Sequence, residues 1–302
     1  MPELTSEDIE KTQKRTLGTL MAGLIPAGAA MSGAYSAAAV LGEELSGSET
    51  LGGLAAACMT TGSALATLPL ARLMAKKGRR PGLATGYLLA AIGSLIAMAA
   101  ALSELYFFLP IGILGVGIGN AANLAARYAA ADLAAPERKA RAIGTLVWAS
   151  TFGSVLGPTI GFGPAKSLGM LIGLPELAGP YVVSSLLFIL AACVIHKNLH
   201  PDPLLLSGQL EEQKPDSGIK EAAKLLFFSR VGQLSLASMV AGHVVMVGVM
   251  TMTPLHMKDG SHELEIIGFV ISLHIVGMYA IAPVIGWLVD HIGAGPLLIA
   301  GG

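Results

Sequence analysis

The sequence predicts an all-α, polytopic membrane protein, and three observations carry that reading. Hydrophobic residues make up 53% of the chain and charged residues only 13%, against about 25% charged in an ordinary soluble domain. Mean hydropathy is +0.67. Eight apolar stretches of about 20 residues, the length a helix needs to cross about 30 Å of hydrocarbon, contain no Asp, Glu, Lys or Arg. The net charge of -1 gives no excess of either sign that would attract nucleic acid. Cys58 and Cys193 lie inside apolar runs, without metal-ligand spacing or a disulfide framework.

The stretches follow in order. A short polar tail, residues 1–15, carries Lys11, Lys14 and Arg15 and precedes the first span, residues 17–41. That span is longer than the core of a cleaved signal peptide, about 7–15 residues, and is expected to remain as a helix. Glu43, Glu44 and Glu49 separate it from the second span, 51–71, which ends against Arg72, Lys76 and Lys77. The third and fourth, 81–102 and 105–126, are divided by Glu104, and the fifth and sixth occupy 142–163 and 177–195. A polar stretch, 196–223, with Pro201, Pro203, Pro215, Glu211 and Glu212, reads as a linker. The seventh and eighth spans, 231–255 and 266–289, are divided by Asp259, Glu263 and Glu265.

Cytoplasmic loops hold the positive charge, and with the N-terminus inside, 17 of the 19 Lys and Arg residues fall on the inner side, leaving Lys166 and Lys258 outside. The expected location is the cell membrane, multi-pass, with a cytoplasmic N-terminus.

Residues 71–86, A-R-L-M-A-K-K-G-R-R-P-G-L-A-T-G, align at an offset of 215 with residues 286–301, G-W-L-V-D-H-I-G-A-G-P-L-L-I-A-G. Leu73, Gly78, Pro81, Leu83 and Gly86 meet Leu288, Gly293, Pro296, Leu298 and Gly301. A duplicated six-span unit is the arrangement from which many transporters are built. The first copy resembles the inner-loop signature G-x-L-x-D-R-x-G-R-R of the major facilitator superfamily through Leu73, Lys76, Gly78, Arg79 and Arg80, with Ala71 and Ala75 replacing the first Gly and the Asp. The second copy matches at Gly286, Leu288, Asp290 and Gly293. The resemblance implies two six-helix halves, residues 16–195 and a second bundle beginning at 224, joined by the 196–223 linker. The chain then holds eight complete spans and the start of a ninth at Pro296, and an equal second half extends about 108 residues beyond Gly302.

Residues 153–162, G-S-V-L-G-P-T-I-G-F, resemble the antiporter signature of the same superfamily at Gly153, Gly157, Pro158 and Gly161. That likeness points to the drug/proton antiporter branch. Independently of any family, Gly153 and Gly157 form a small-xxx-small face, and Pro158 removes a backbone donor and bends the helix.

A proton-coupled carrier needs an embedded group that changes charge. With no carboxylate in the spans, His243, near the middle of span seven, and His274 in span eight are the candidates; a hydrogen-bonded packing histidine is the competing reading. Asn120, Asn123 and Arg127 share one face of span four, and Asn120 and Asn123 are expected to line a cavity or to bond a neighbouring helix. Met239, His243, Met246 and Met250 share a face of span seven, with Gln233 below. Trp148 and Tyr35 are amphipathic aromatics able to touch a ligand. The expected cavity set is Asn120, Asn123, Trp148, Gln233 and Met246.

Other classes fare less well. His262 and Glu263 begin an H-E-x-x-H motif, but Ile266 stands at the second His, so no zinc site closes there. Paired membrane histidines as redox-centre ligands have no further support in the sequence. The expected activity is alternating-access transport without a cofactor, by a monomer whose partners are the bilayer, a small-molecule substrate and protons. Export of hydrophobic or amphipathic compounds leads; uptake or export of a metabolite by a uniporter or symporter follows.

Overall fold

The computed structural model describes residues 6–135, 138–207, 224, 226–280 and 294–301. Eleven α-helices are seen among them: α1 Ser6–Ser46, α2 Glu49–Lys77, α3 Arg79–Ser103, α4 Phe108–Ala129, α5 Lys139–Ile160, α6 Lys166–Leu171, α7 Gly179–Asn198, α8 Pro203–Leu206, α9 Arg230–Asp259, α10 Leu264–Ala280 and α11 Ala294–Gly301. Seven helical segments among the described residues are long and apolar enough to span a bilayer. They contain the first seven predicted spans apart from the non-helical residues 105–107. The eighth span is represented by α10; its remainder, with Asp290 and Gly293, lies outside the described residues.

Helix α5 does not stop at the predicted boundary. It continues through a π-helical turn, Gly161–Ala165, into α6. Pro158 and Pro164 each lack the N–H that an α-helical ladder needs, and a widened turn is one way the chain absorbs that loss without breaking.

Lipid tails are as apolar as leucine, so these helices associate through close packing rather than hydrophobic expulsion. Glycine provides the approach. A Cβ at Gly93 would meet the Gly115 backbone at 2.7 Å, and one at Gly117 would meet Met59 O, so α4 lies against the backbones of both α3 and α2. Between α1 and α5, a Cβ at Gly153 would strike Ile25 O and one at Gly33 would sit 3.0 Å from Gly157 O. Tyr87 and Phe188, both fully buried, stack at 6.4 Å and tie α3 to α7. Leu54, Leu65, Leu88 and Leu186 remain exposed, a surface suited to hydrocarbon rather than to water.

Two ends of the bundle serve as landmarks: the end where α1 turns into α2, and the opposite end where α2 turns into α3. The polar stretch after α7 begins folded at the latter. Leu199, Asp202 and Leu204 are buried there, so the chain stays on the first six spans through Ser207 before the composition of a linker takes over.

Candidate functional site

A cavity of about 470 Å³ lies between the first bundle and the later helices, bounded by α1, α2, α4, α5, α9 and α10. Its wall mixes thioethers (Met31, Met59, Met246, Met250), hydroxyls (Ser32, Tyr35, Thr60, Ser63, Ser150) and the amides of Asn120 and Asn123. Tyr87 Oη donates to Asn123 Oδ1 at 2.8 Å, and Asn120 Nδ2 donates to Ser63 Oγ at 3.2 Å. Both amides are therefore oriented by neighbouring helices and present to the cavity the groups not used in those bonds. Arg127 enters the same wall two turns beyond Asn120. His243 lines the cavity and also a groove of about 610 Å³ between α2 and α9, forming part of the partition between them.

Of the residues expected at the cavity, Asn120, Asn123, Met246 and His243 come together there. Trp148, Gln233 and His274 do not line it. Trp148 is half exposed with its ring edge-on to Phe152, and Gln233 Nε2 donates to Phe227 O at 2.7 Å near the start of α9. His274 lies on an exposed face of α10, beside Leu273. Amphipathic side chains on a membrane helix can face lipid as readily as a cavity, which is why their type did not place them.

At the α2–α3 end, Gly78 adopts φ 93° between the two helices. Any Cβ there would sit 2.5 Å from Asp202 Oδ2, so both the conformation and the space demand glycine. Asp202 accepts from the Arg79 backbone N–H at 3.0 Å and the Arg80 backbone N–H at 2.7 Å, placing a carboxylate on the positive end of α3. It also caps α8 through the N–H groups of Leu204 and Leu205. Arg79 grips Asp132 with two parallel bonds, Nε to Oδ2 at 2.8 Å and Nη2 to Oδ1 at 3.0 Å. The acid absent at Ala75 is thus not the one on which this turn depends: Asp132 and Asp202 supply the negative charge. Asp202 followed by Pro203 is a helix-start signal, and it was the one available clue.

Gly153, Gly157 and Pro158 lie where α1, α5 and α10 meet. A Cβ at Gly157 would strike Ser32 Oγ, and a Cβ at Gly268 of α10 would lie 2.7 Å from Pro158 O. Gly161 begins the π turn, in ordinary contact with Gly33. Among the described residues, three polar contacts join the first bundle to α9 and α10 toward the α1–α2 end: Tyr35 Oη with Thr251 Oγ1 at 2.7 Å, Thr159 Oγ1 with Ser272 Oγ at 2.8 Å, and Lys258 Nζ donating to Glu43 Oε2 at 3.1 Å. No cluster of three or more metal-ligating side chains occurs among the described residues.

The model of the Major Facilitator Superfamily matches residues 20–302. YdeG of Bacillus subtilis (strain 168), an MFS-type transporter without an assigned substrate, is 35% identical over 96% of this chain and 68% of its own length. YddS of the same organism, described in the same way, is 34% identical over 96% and 67%. The riboflavin transporter RfnT of Brucella anthropi is 26% identical over 84% of this chain and 61% of its own length. With the all-helical bundle and its central cavity, these matches place the chain in the major facilitator superfamily, as a membrane transporter and not an enzyme.

Proposed function

We propose that the protein is a secondary active transporter working by alternating access, which exports small amphipathic or hydrophobic compounds in exchange for protons. The observation that carries this reading is the cavity between the first bundle and α9–α10, whose pliable thioethers and scattered hydroxyls suit solutes of varied shape. In this reading residues 16–195 rock as one body against a second bundle that begins at 224, across the 196–223 linker, and a monomer suffices. The α2–α3 end faces the cytoplasm of the cell membrane, following the distribution of Lys and Arg, and the contacts at the α1–α2 end close the outer side.

His243 is the proposed proton carrier, with His274 the second candidate. It borders the cavity, is uncharged when deprotonated, and belongs to the side-chain type that titrates near physiological pH. The lining hydroxyls and amides, together with the likeness to a riboflavin transporter, favour a second reading: uptake of a polar metabolite through the same cavity.

The test is transport by the full-length protein in proteoliposomes, with and without an imposed pH gradient, against a panel of amphipathic cations, anions and flavins. Export driven by the gradient, lost in His243→Gln while downhill exchange persists, is expected. Gradient dependence unchanged in His243→Gln removes the histidine; downhill uptake of a flavin, insensitive to the gradient, favours the second reading.

A further inference from the structure

We infer that the cavity holds an organic anion, with the substrate's carboxylate or phosphate oxygens bound by Arg127. This deepens the transport reading above and rests on it.

Arg127 is the single Lys, Arg, Asp or Glu side chain among the described residues lining the cavity. Its Nε is buried without a hydrogen-bond partner, and no ion pair engages the guanidinium among the described residues. The neighbourhood sharpens the contrast. Asp132 lies only five residues further along the chain, yet both of its carboxylate oxygens are committed to Arg79. The fold therefore satisfies Arg79 bidentately and leaves the Nε of Arg127 without a partner among the described residues, in a mostly apolar cavity.

Adjacent groups complete an anion site. Asn123 lies one helical turn before Arg127 on the same face, and its Oδ1 already accepts from Tyr87, which leaves the amide Nδ2 donors for a ligand. Guanidinium geometry matches two oxygens of one carboxylate or phosphate. The thioethers of Met31, Met59 and Met246 then face the carbon skeleton. The occupant is amphipathic, with an anionic head toward Arg127 and an apolar body toward the methionines.

The experiment uses the full-length protein with its native cysteines removed, Cys58→Ala and Cys193→Ala included, and a single thiol at Leu124→Cys, a cavity-lining position one turn from Arg127. Reaction rates are measured with an anionic sulfonate thiosulfonate reagent, its cationic trimethylammonium counterpart and neutral methyl methanethiosulfonate. The anionic-to-cationic rate ratio should fall by about tenfold or more in Arg127→Gln and be largely kept in Arg127→Lys. Naphthylacetate or naphthyl phosphate should slow the neutral reagent, and the isosteric naphthylacetamide should not; whichever anion protects at lower concentration names the head group. An unchanged ratio in Arg127→Gln, protection by the amide equal to that by the anions, or no protection by either anion overturns the inference. A thiol that no aqueous reagent reaches from either side overturns the water-accessible transport cavity itself, and so is distinct from failure of the anion site alone.

Discussion

Replacing Asp202 tests whether the α2–α3 turn is held by one carboxylate. Its Oδ1 accepts from the N–H groups of Arg79, Leu204 and Leu205, and its Oδ2 from that of Arg80 at 2.7 Å, while the residue as a whole is only 6% exposed. Asp202→Asn keeps the shape and one acceptor oxygen. Its amide nitrogen must then face either the Arg80 N–H or the other three donors, so at least one backbone donor loses its partner, at a cost of about 1–3 kcal/mol. Loss of the negative charge at the start of α3 adds about 0.3–2 kcal/mol. The expected destabilisation is about 2–4 kcal/mol, and Asp202→Ala, which strips every one of these bonds, should cost more. In a chain of 302 residues that corresponds to an apparent melting midpoint lower by about 3–6 °C for the amide variant. Thermal denaturation of detergent-purified protein, followed by a thiol-reactive dye at one scan rate, gives the ranking. Wild type above Asp202→Asn above Asp202→Ala is expected. An Asn variant that melts with the wild type, or an Ala variant no worse than Asn, refutes the capping role.

Two further outcomes follow from the same polar network and from the opposite end. Arg79→Lys keeps the charge but loses the two-pronged grip on Asp132, and should lower stability by about 1–3 kcal/mol. Arg80→Lys removes a guanidinium that, among the described residues, approaches only the His200 ring, at 3.4 Å, and should change the melting midpoint far less; equal effects in the two variants would show that charge alone is used. The Glu43–Lys258 pair is partly exposed, with side chains 21% and 33% accessible, so breaking it in Glu43→Gln should cost only about 0.5–1 kcal/mol. That is still enough to raise labelling of a Thr251→Cys thiol from the α1–α2 side by about twofold to fivefold, and unchanged labelling would remove the pair as a closure contact.

The spans were legible because the bilayer imposes a rule on consecutive residues: about 20 of them without charge. The site was legible only in part, for a physical reason. On a soluble helix the apolar face marks the interior, whereas in hydrocarbon the lipid-facing side is apolar too, so periodicity does not separate inside from outside. The i, i+3, i+7 face of Asn120, Asn123 and Arg127 could be read from spacing, because polar groups in hydrocarbon seek partners or a wet cavity. Trp148 and His274 obey no such constraint and lie on exposed faces. Asp132 and Asp202 escaped for a different reason: their partners lie 53 and more than 120 residues away, and pairing across such distances is fixed by the fold rather than by local pattern.

The two ends of the bundle are fastened in different ways, and the difference bears on how a carrier of the proposed kind would move. At the α2–α3 end, Asp202, Asp132 and Arg79 bind the α2–α3 turn, the α4–α5 loop and the segment after α7 into one body by charge-assisted bonds, all within the first six spans. The glycine seam between α1 and α5 is likewise internal to that body. At the α1–α2 end, the polar contacts to α9 and α10 among the described residues are two hydroxyl pairs and one partly exposed ion pair, beside the close packing of Gly268 on Pro158. Together the polar contacts are worth about 2–4 kcal/mol at most. In the proposed cycle, a gap of a few kcal/mol between the two states would keep the alternative state populated at about 0.1–10%. Only a ligand that binds the two states unequally can shift the balance. A substrate anion on Arg127 meets this condition if opening the α1–α2 end draws α9 and its methionines away from α4, because the guanidinium then stays with the first body while the apolar half of the site leaves. In the proposed cycle, the coupling between binding and movement therefore lies in the cavity wall that α4 and α9 share.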